Sequence, residues 1–238
     1  MPNAECEKEG KGVDVRSALI AEFLGTFFLC FAGIGAILGG TSVVGANPGL
    51  LGIALAHGLA LSVAVNAFGG VSGAHFNPAV TIGFLATGRI AARSAALYIP
   101  VQLAGATTAA LICMLVFPEA AVANANLGIP LPASWASTTT VIAVEIVLTF
   151  MLMVAIYGTA VDPRGAGVKI GGFGIGLTVA FDILAGGPIT GASMNPARSF
   201  GPAFVYGHWD WHPIYWVAPI GGALLGALVY EHLILEKK

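Results

Sequence analysis

Gly191-Ala192-Ser193-Met194-Asn195-Pro196-Ala197-Arg198-Ser199-Phe200 follows a hydrophobic run and carries the only basic residue that the sequence places at membrane depth. It has an echo in Gly73-Ala74-His75-Phe76-Asn77-Pro78-Ala79-Val80-Thr81. Asn-Pro-Ala reads as a helix start. Asn is a favoured N-cap whose side-chain oxygen takes a free backbone N–H, and Pro suits the first helical position because it has no N–H to waste. Two such starts, one in each half of an apolar chain, put two positive dipole ends inside it. A single triplet would mean little, since Asn-Pro also opens surface turns. Two of them, each preceded by Gly and a hydrophobic segment and each similarly far from an upstream Glu, make an internal repeat.

The surrounding composition sets the class. Of 238 residues, 57% are hydrophobic and only 9% charged, and no Asp, Glu, Lys or Arg occurs from Phe23 to Thr87. Several membrane spans are the natural reading. Six segments are long enough to cross: Ser17–Gly40, Pro48–Gly69, Ala91–Phe117, Thr138–Ala160, Ile170–Pro188 and Pro213–Leu235. Asn77–Gly88 and Asn195–Val205 are apolar but too short, and read as half-helices that enter and stop. Irregular backbone at that depth survives only when buried in protein or facing a wet cavity, so a cavity is implied. The net charge of −2 argues against a nucleic-acid partner. Cys6, Cys30 and Cys113 have no metal-ligand spacing, and Cys30 and Cys113 read as small packing residues inside spans. The polar, acidic start is no signal peptide and reads as a cytosolic tail.

Ala21-Glu22-Phe23-Leu24-Gly25-Thr26-Phe27 resembles Val144-Glu145-Ile146-Val147-Leu148-Thr149-Phe150. Each opens a unit of three spans with an Asn-Pro-Ala segment between the second and third. An odd number of spans turns the second unit upside down relative to the first, a known way to build a transport site. With both termini inside, Lys8, Lys11, Arg16, Arg89, Arg93, Arg164, Lys169, Lys237 and Lys238 all fall on the cytoplasmic side. Only Arg198 is left over. Small residues recur every four positions, at Gly52, Ala56, Ala60 and Ala64, at Gly172, Gly176 and Ala180, and at Gly222 and Gly226, as expected of close helix packing.

On these residues the chain resembles the major intrinsic protein family, the aquaporins and their relatives, over nearly its whole length. The resemblance implies an all-α membrane fold: an inverted repeat of 3+3 transmembrane helices with two re-entrant half-helices. It implies a single channel domain over residues 1–238, with a cytoplasmic tail at 1–16 and repeats at about 17–117 and 138–235. Asn77-Pro78-Ala79 and Asn195-Pro196-Ala197 then face the pore, the asparagines donating N–H groups to a file of water. Arg198 matches the arginine that lines the narrowest part. Spacing from the two asparagines nominates His57, Ile183 and Ala192 as its companions, a set resembling the tonoplast-intrinsic type. That type is associated with ammonia, and sometimes urea or hydrogen peroxide, as well as water. Glu22 and Glu145 match acids that support the re-entrant loops, and His75 looks like a loop brace.

Ser199, Ala203 and Tyr215-Trp216 depart from the glycerol-facilitator pattern. The long loop Pro118–Ser137 lacks the His that some ammonia-permeable relatives are thought to use, which weakens the case for ammonia. Asp182, an acid at depth, has no partner that the sequence can name. The implied function is a passive channel, not an enzyme, with no cofactor and no metal. Its partners are water, small neutral solutes and the lipid bilayer, and it assembles as a homotetramer. It is a multi-pass protein of the plasma membrane, or of the vacuolar membrane in a plant-like cell. An ion-coupled small-solute transporter and a structural junction protein on the same fold are the alternatives.

Overall fold

The computed structural model describes residues 14–166 and 170–236. The tail to residue 13, with Cys6, Lys8 and Lys11, lies outside the described residues, as do Lys169, Lys237 and Lys238. The helices are α1 Val15–Gly39, α2 Gly49–Ser72, α3 Pro78–Ala86, α4 Ala92–Val116, α5 Glu119–Asn124, α6 Thr138–Ile156, α7 Pro163–Ala166, α8 Gly171–Thr190, α9 Pro196–Tyr206 and α10 Ile214–Val229. Wide π-helical turns carry α6 on to Val161 and α10 on to Ile234. Six helices, α1, α2, α4, α6, α8 and α10 with these extensions, are long and apolar enough to cross a membrane.

Local chemistry sets the ends of these elements. Asp14 caps α1 by accepting from the backbone N–H groups of Arg16 and Ser17. Spans α2 and α8 stop at Gly73 and Gly191, whose φ values of 86° and 80° form the left-handed C-cap that glycine adopts without penalty. The chain turns there into a short loop and re-enters a helix at Pro78 or Pro196, where proline sits at the first helical position. The predicted half-helices are therefore α3 and α9.

The two repeats interlock. Half-helix α3 packs on α10 of the second repeat, and α9 packs on α4 of the first. The most extensive contacts between spans are those of α2 with α8, α1 with α4 and α6 with α10. Small residues carry the approach, as at Gly176, where a Cβ would meet the Gly58 carbonyl and the Ser62 hydroxyl. On α2 this contact falls on Gly58 and Ser62, beside the row from Gly52 to Ala64, whose last member is fully buried in the core. A Cβ at Gly52 would meet only Pro48 of its own first turn. Side chains such as Leu115 and Val217, 84% and 70% exposed, point outward on the spans, while Glu22, Gln102, Glu145 and Arg198 are buried inside. That inversion of the usual polarity fits a protein whose outer solvent is hydrocarbon.

Candidate functional site

The loops leading into α3 and α9 are built alike. Each holds two non-glycine residues at left-handed φ, Ala74 at 53° and Phe76 at 51°, then Ala192 at 46° and Met194 at 52°. Such residues are strained and persist only where the surroundings fix them. Two buried carboxylates do so. Glu22 accepts from Ser72 Oγ (2.7 Å) and the His75 N–H (2.9 Å) at Oε1, and from the Phe76 N–H (2.7 Å) and Gln102 Nε2 (2.8 Å) at Oε2. Glu145 accepts from Thr190 Oγ1 (2.7 Å) and the Ser193 N–H (2.9 Å) at Oε1, and from the Met194 N–H (2.8 Å) at Oε2. Tyrosine hydroxyls close both loops from the last span of each repeat, Tyr98 onto the Ser72 carbonyl and Tyr215 onto the Thr190 carbonyl.

The loops end on the two asparagines. Asn77 Oδ1 accepts from the Ala79 N–H (2.8 Å), and Asn195 Oδ1 from those of Ala197 (2.9 Å) and Arg198 (3.3 Å), as N-caps do. Their amides reach across to the opposite loop: Asn77 Nδ2 donates to the Met194 carbonyl at 2.8 Å, and Asn195 Nδ2 to the Phe76 carbonyl at 2.9 Å. Each crossing uses one of two N–H groups on an amide that also borders a cavity.

That cavity is partly open, and the empty space in it and at its mouth amounts to about 480 Å³. Much of its lining is apolar, including Leu61, Val65, Leu152, Ile156, Ile175 and Val179. His57, His75, Asn77, Ser193, Asn195 and Arg198 supply polar groups. Arg198 is only 4% exposed. Its Nη1 donates to the Gly128 carbonyl at 2.7 Å, and Nη2 lies 3.5 Å from His57 Nε2. His57 Nδ1 is 2.9 Å from the Ile53 carbonyl. A carbonyl only accepts, so Nδ1 carries the proton, and Nε2 turns a lone pair to the guanidinium.

His75 borders the cavity and also braces its loop. The Thr81 hydroxyl gives its proton to the Asn77 carbonyl and accepts from Gln102 Nε2. His75 Nδ1, 3.1 Å from that same oxygen, must therefore donate. Ile183 and Ala192, 5% and 2% exposed, lie beside the cavity without bordering it. Ile183 is one turn beyond Val179, and Ala192 adjoins Ser193. Pro78, Ala79, Pro196 and Ala197 form the buried first turns of α3 and α9. Asp182 is fully buried, and neither carboxyl oxygen has a hydrogen-bond partner among the described residues.

Gln102 and the Gly128 carbonyl escape sequence reasoning. Gln102 is the only side-chain amide in α4, and a lone amide in a span is the signal that could have found it. The Gly128 carbonyl has no such signal. It is presented by a turn in which Leu127, buried among Cys30, Ile34 and Cys113, takes a φ of 51°.

A profile of the major intrinsic protein family matches residues 9–230. Aquaporin TIP4-4 of Zea mays is 46% identical over 233 residues, 92% of this chain and 87% of that protein. Aquaporin TIP4-1 of Arabidopsis thaliana is 42% identical over 230 residues, 94% of this chain and 88% of that protein. In fold, the chain is similar to the X-ray structure of the aquaglyceroporin from Plasmodium falciparum, with a TM-score of 0.84 at 24% identity, over 93% of this chain and 97% of that one.

Proposed function

The chain belongs to the major intrinsic protein family, and from that premise we propose that it is a passive water pore. On this reading it also admits ammonia, with urea and hydrogen peroxide as further solutes, and it excludes protons and ions. The observation that carries the reading is the pair of crossed asparagines, Asn77 and Asn195, each capping a half-helix and each bordering one cavity.

The remaining amide N–H of each asparagine and the positive ends of α3 and α9 turn the oxygen of a passing water toward the centre. The apolar part of the lining offers that water no hydrogen-bond partner, so its bonds are to the asparagines and to neighbouring waters in the file. Cations and hydronium meet two helix dipoles and the Arg198 guanidinium, which raise an electrostatic barrier. Pores of the aquaporin type select in this way, by width, lining hydrogen-bond groups and electrostatic barriers together. Arg198 is the strongest donor at the neck, and His57 supplies an acceptor beside it through Nε2. Family resemblance supports Ile183 and Ala192, which sit just beside the cavity, as the apolar members of the neck. The His and Ile in this set make it wider and less polar than an aromatic with a His would, which favours ammonia.

The Lys and Arg pattern supports both termini on the cytoplasmic side. Family resemblance supports a homotetramer with one pore per subunit, in the plasma membrane or, in a plant-like cell, the vacuolar membrane. Stopped-flow measurements on proteoliposomes with water, ammonia, urea and glycerol test the reading, with His57→Phe/Ile183→His alongside. The wild type is expected to pass water with a low activation energy, and the double variant to keep water flux while losing ammonia flux. Absence of water flux from folded wild-type protein would remove the channel reading, and unchanged ammonia flux in the double variant would remove the neck assignment.

A further inference from the structure

We propose that Gly33 sets the width of the pore at His57: having no side chain, it lets the imidazole lie back against α1 and out of the water path. The inference rests on His57 standing at the neck, as proposed above. Gly33 is buried on α1, and a Cβ built there would fall on the His57 ring itself, against Nε2, Cδ2 and Cε1 at once. No real Cβ makes such contacts, so the ring and a side chain at residue 33 compete for one space.

The surroundings decide how that conflict resolves. Helix α2 cannot retreat from α1, because its far side is already closed against α8. A Cβ on Gly58, the next residue along, would meet the Gly176 carbonyl at 2.5 Å and Ala180 Cβ at 2.9 Å. The base of the imidazole is tied down by the Nδ1 bond to Ile53. What remains is rotation of the ring about its own side-chain bonds, and the open direction is the cavity that His57 borders with Arg198 and Leu29. That rotation breaks the Nδ1 bond, withdraws Nε2 from Arg198 and brings the ring across the neck. Gly33 is thus a positioning residue that acts through His57.

Gly33→Ala, His57→Ala and Gly33→Ala/His57→Ala, each reconstituted at equal folded protein per vesicle, separate this role from plain helix packing. For Gly33→Ala, water flux is expected to fall roughly tenfold as the ring enters the constriction. In the double variant, flux is expected to return to within about twofold of His57→Ala alone, since the ring that blocked the path is gone. If Gly33→Ala fails to fold while the double variant folds and conducts, the same competition for space is shown. A double variant as impaired as Gly33→Ala, or a Gly33→Ala protein with wild-type flux and solute range, would overturn the inference. The underlying neck assignment fails separately, and visibly, if His57→Ala alone leaves flux and solute range unchanged.

Discussion

Replacing Glu145 by Leu or Gln measures how far the second re-entrant loop depends on one carboxylate. The side chain is fully buried, and it accepts from the Ser193 N–H at 2.9 Å, the Met194 N–H at 2.8 Å and Thr190 Oγ1 at 2.7 Å. Leucine fills similar volume, so the change removes acceptors more than packing. A buried N–H left without a partner costs about 1–3 kcal/mol, so two cost roughly 2–6 kcal/mol. The Thr190 hydroxyl loses less, because the Gly186 carbonyl already lies 3.5 Å away. Glutamine keeps one oxygen for Ser193 and Thr190 and turns an NH2 toward the Met194 N–H, orphaning one donor for about 1–3 kcal/mol. In a chain of this size each kcal/mol is worth about 2–4 °C, so the Leu variant melts roughly 5–20 °C below wild type and the Gln variant about half as far. Melting of the purified protein in detergent, followed by intrinsic fluorescence, reads this order. Flux per folded molecule should fall in parallel, because the Met194 carbonyl receives the Asn77 amide and Asn195 follows directly. A Leu variant that melts and conducts like wild type would refute the idea that the carboxylate holds the loop.

Three further changes test other parts of the structure. Arg198→Ala removes the donor held by the Gly128 carbonyl beside His57, and glycerol and proton leak should rise severalfold in vesicles loaded with a pH dye; an unchanged profile would show that the guanidinium guards nothing. For Asp182→Asn, melting is expected within about 3 °C of wild type or above it, because the buried carboxyl has no hydrogen-bond partner among the described residues to lose; a drop of about 10 °C or more would reveal a partner that needs the acid. Asp162, just beyond α6, is held by Arg164 from the usual 3.8 down to about 2. A lowered folded value means stability that is present above the unfolded value and is lost as pH falls through the folded one. Asp162→Asn should therefore melt below wild type at neutral pH, with the gap closing from about pH 4 toward pH 2; a gap constant over that range would separate the effect from ionisation.

The sequence carries the spans, the half-helices and their caps because each has a local cause. Length and apolarity mark the six spans, and Asn-Pro marks the starts of α3 and α9. Glu22 and Glu145 are legible as well, since an acid in a span must meet donors. Gly33, Gln102 and the Gly128 carbonyl belong to a different kind of information. Gly33 looks like any packing glycine until the His57 ring is seen lying on it. The Gly128 carbonyl belongs to the backbone and leaves no mark in side-chain chemistry. Spacing of four marks the row from Gly52 to Ala64 on α2 as one helix face without saying which neighbour meets it, whereas the contact with α8 falls on Gly58 and Ser62.

The two repeats show which features the architecture can vary. The offset that carries Asn77 to Asn195 also carries Ser72 to Thr190 and Phe76 to Met194, and the hydrogen bonds at these pairs match. It carries His57 to Ile175, Val65 to Ile183 and Val80 to Arg198, and here the chemistry diverges. Backbone N–H groups in a dry loop have no alternative to their carboxylate, so a change in either partner leaves a buried donor unpaired. The side chains at the diverging pairs are different: His57 and Arg198 donate to backbone carbonyls, and no backbone N–H depends on them or on Ile175 and Val80 for its partner. His57 and Arg198 lie together on the cavity, and their counterparts Ile175 and Val80 border the same cavity. A near-symmetric frame thus carries an asymmetric lining, with His57 and Arg198 polar and charged where their counterparts Ile175 and Val80 are apolar. On the proposed reading, discrimination among solutes is concentrated at the end that holds the guanidinium, and orientation of water at the centre, where the two asparagines cross.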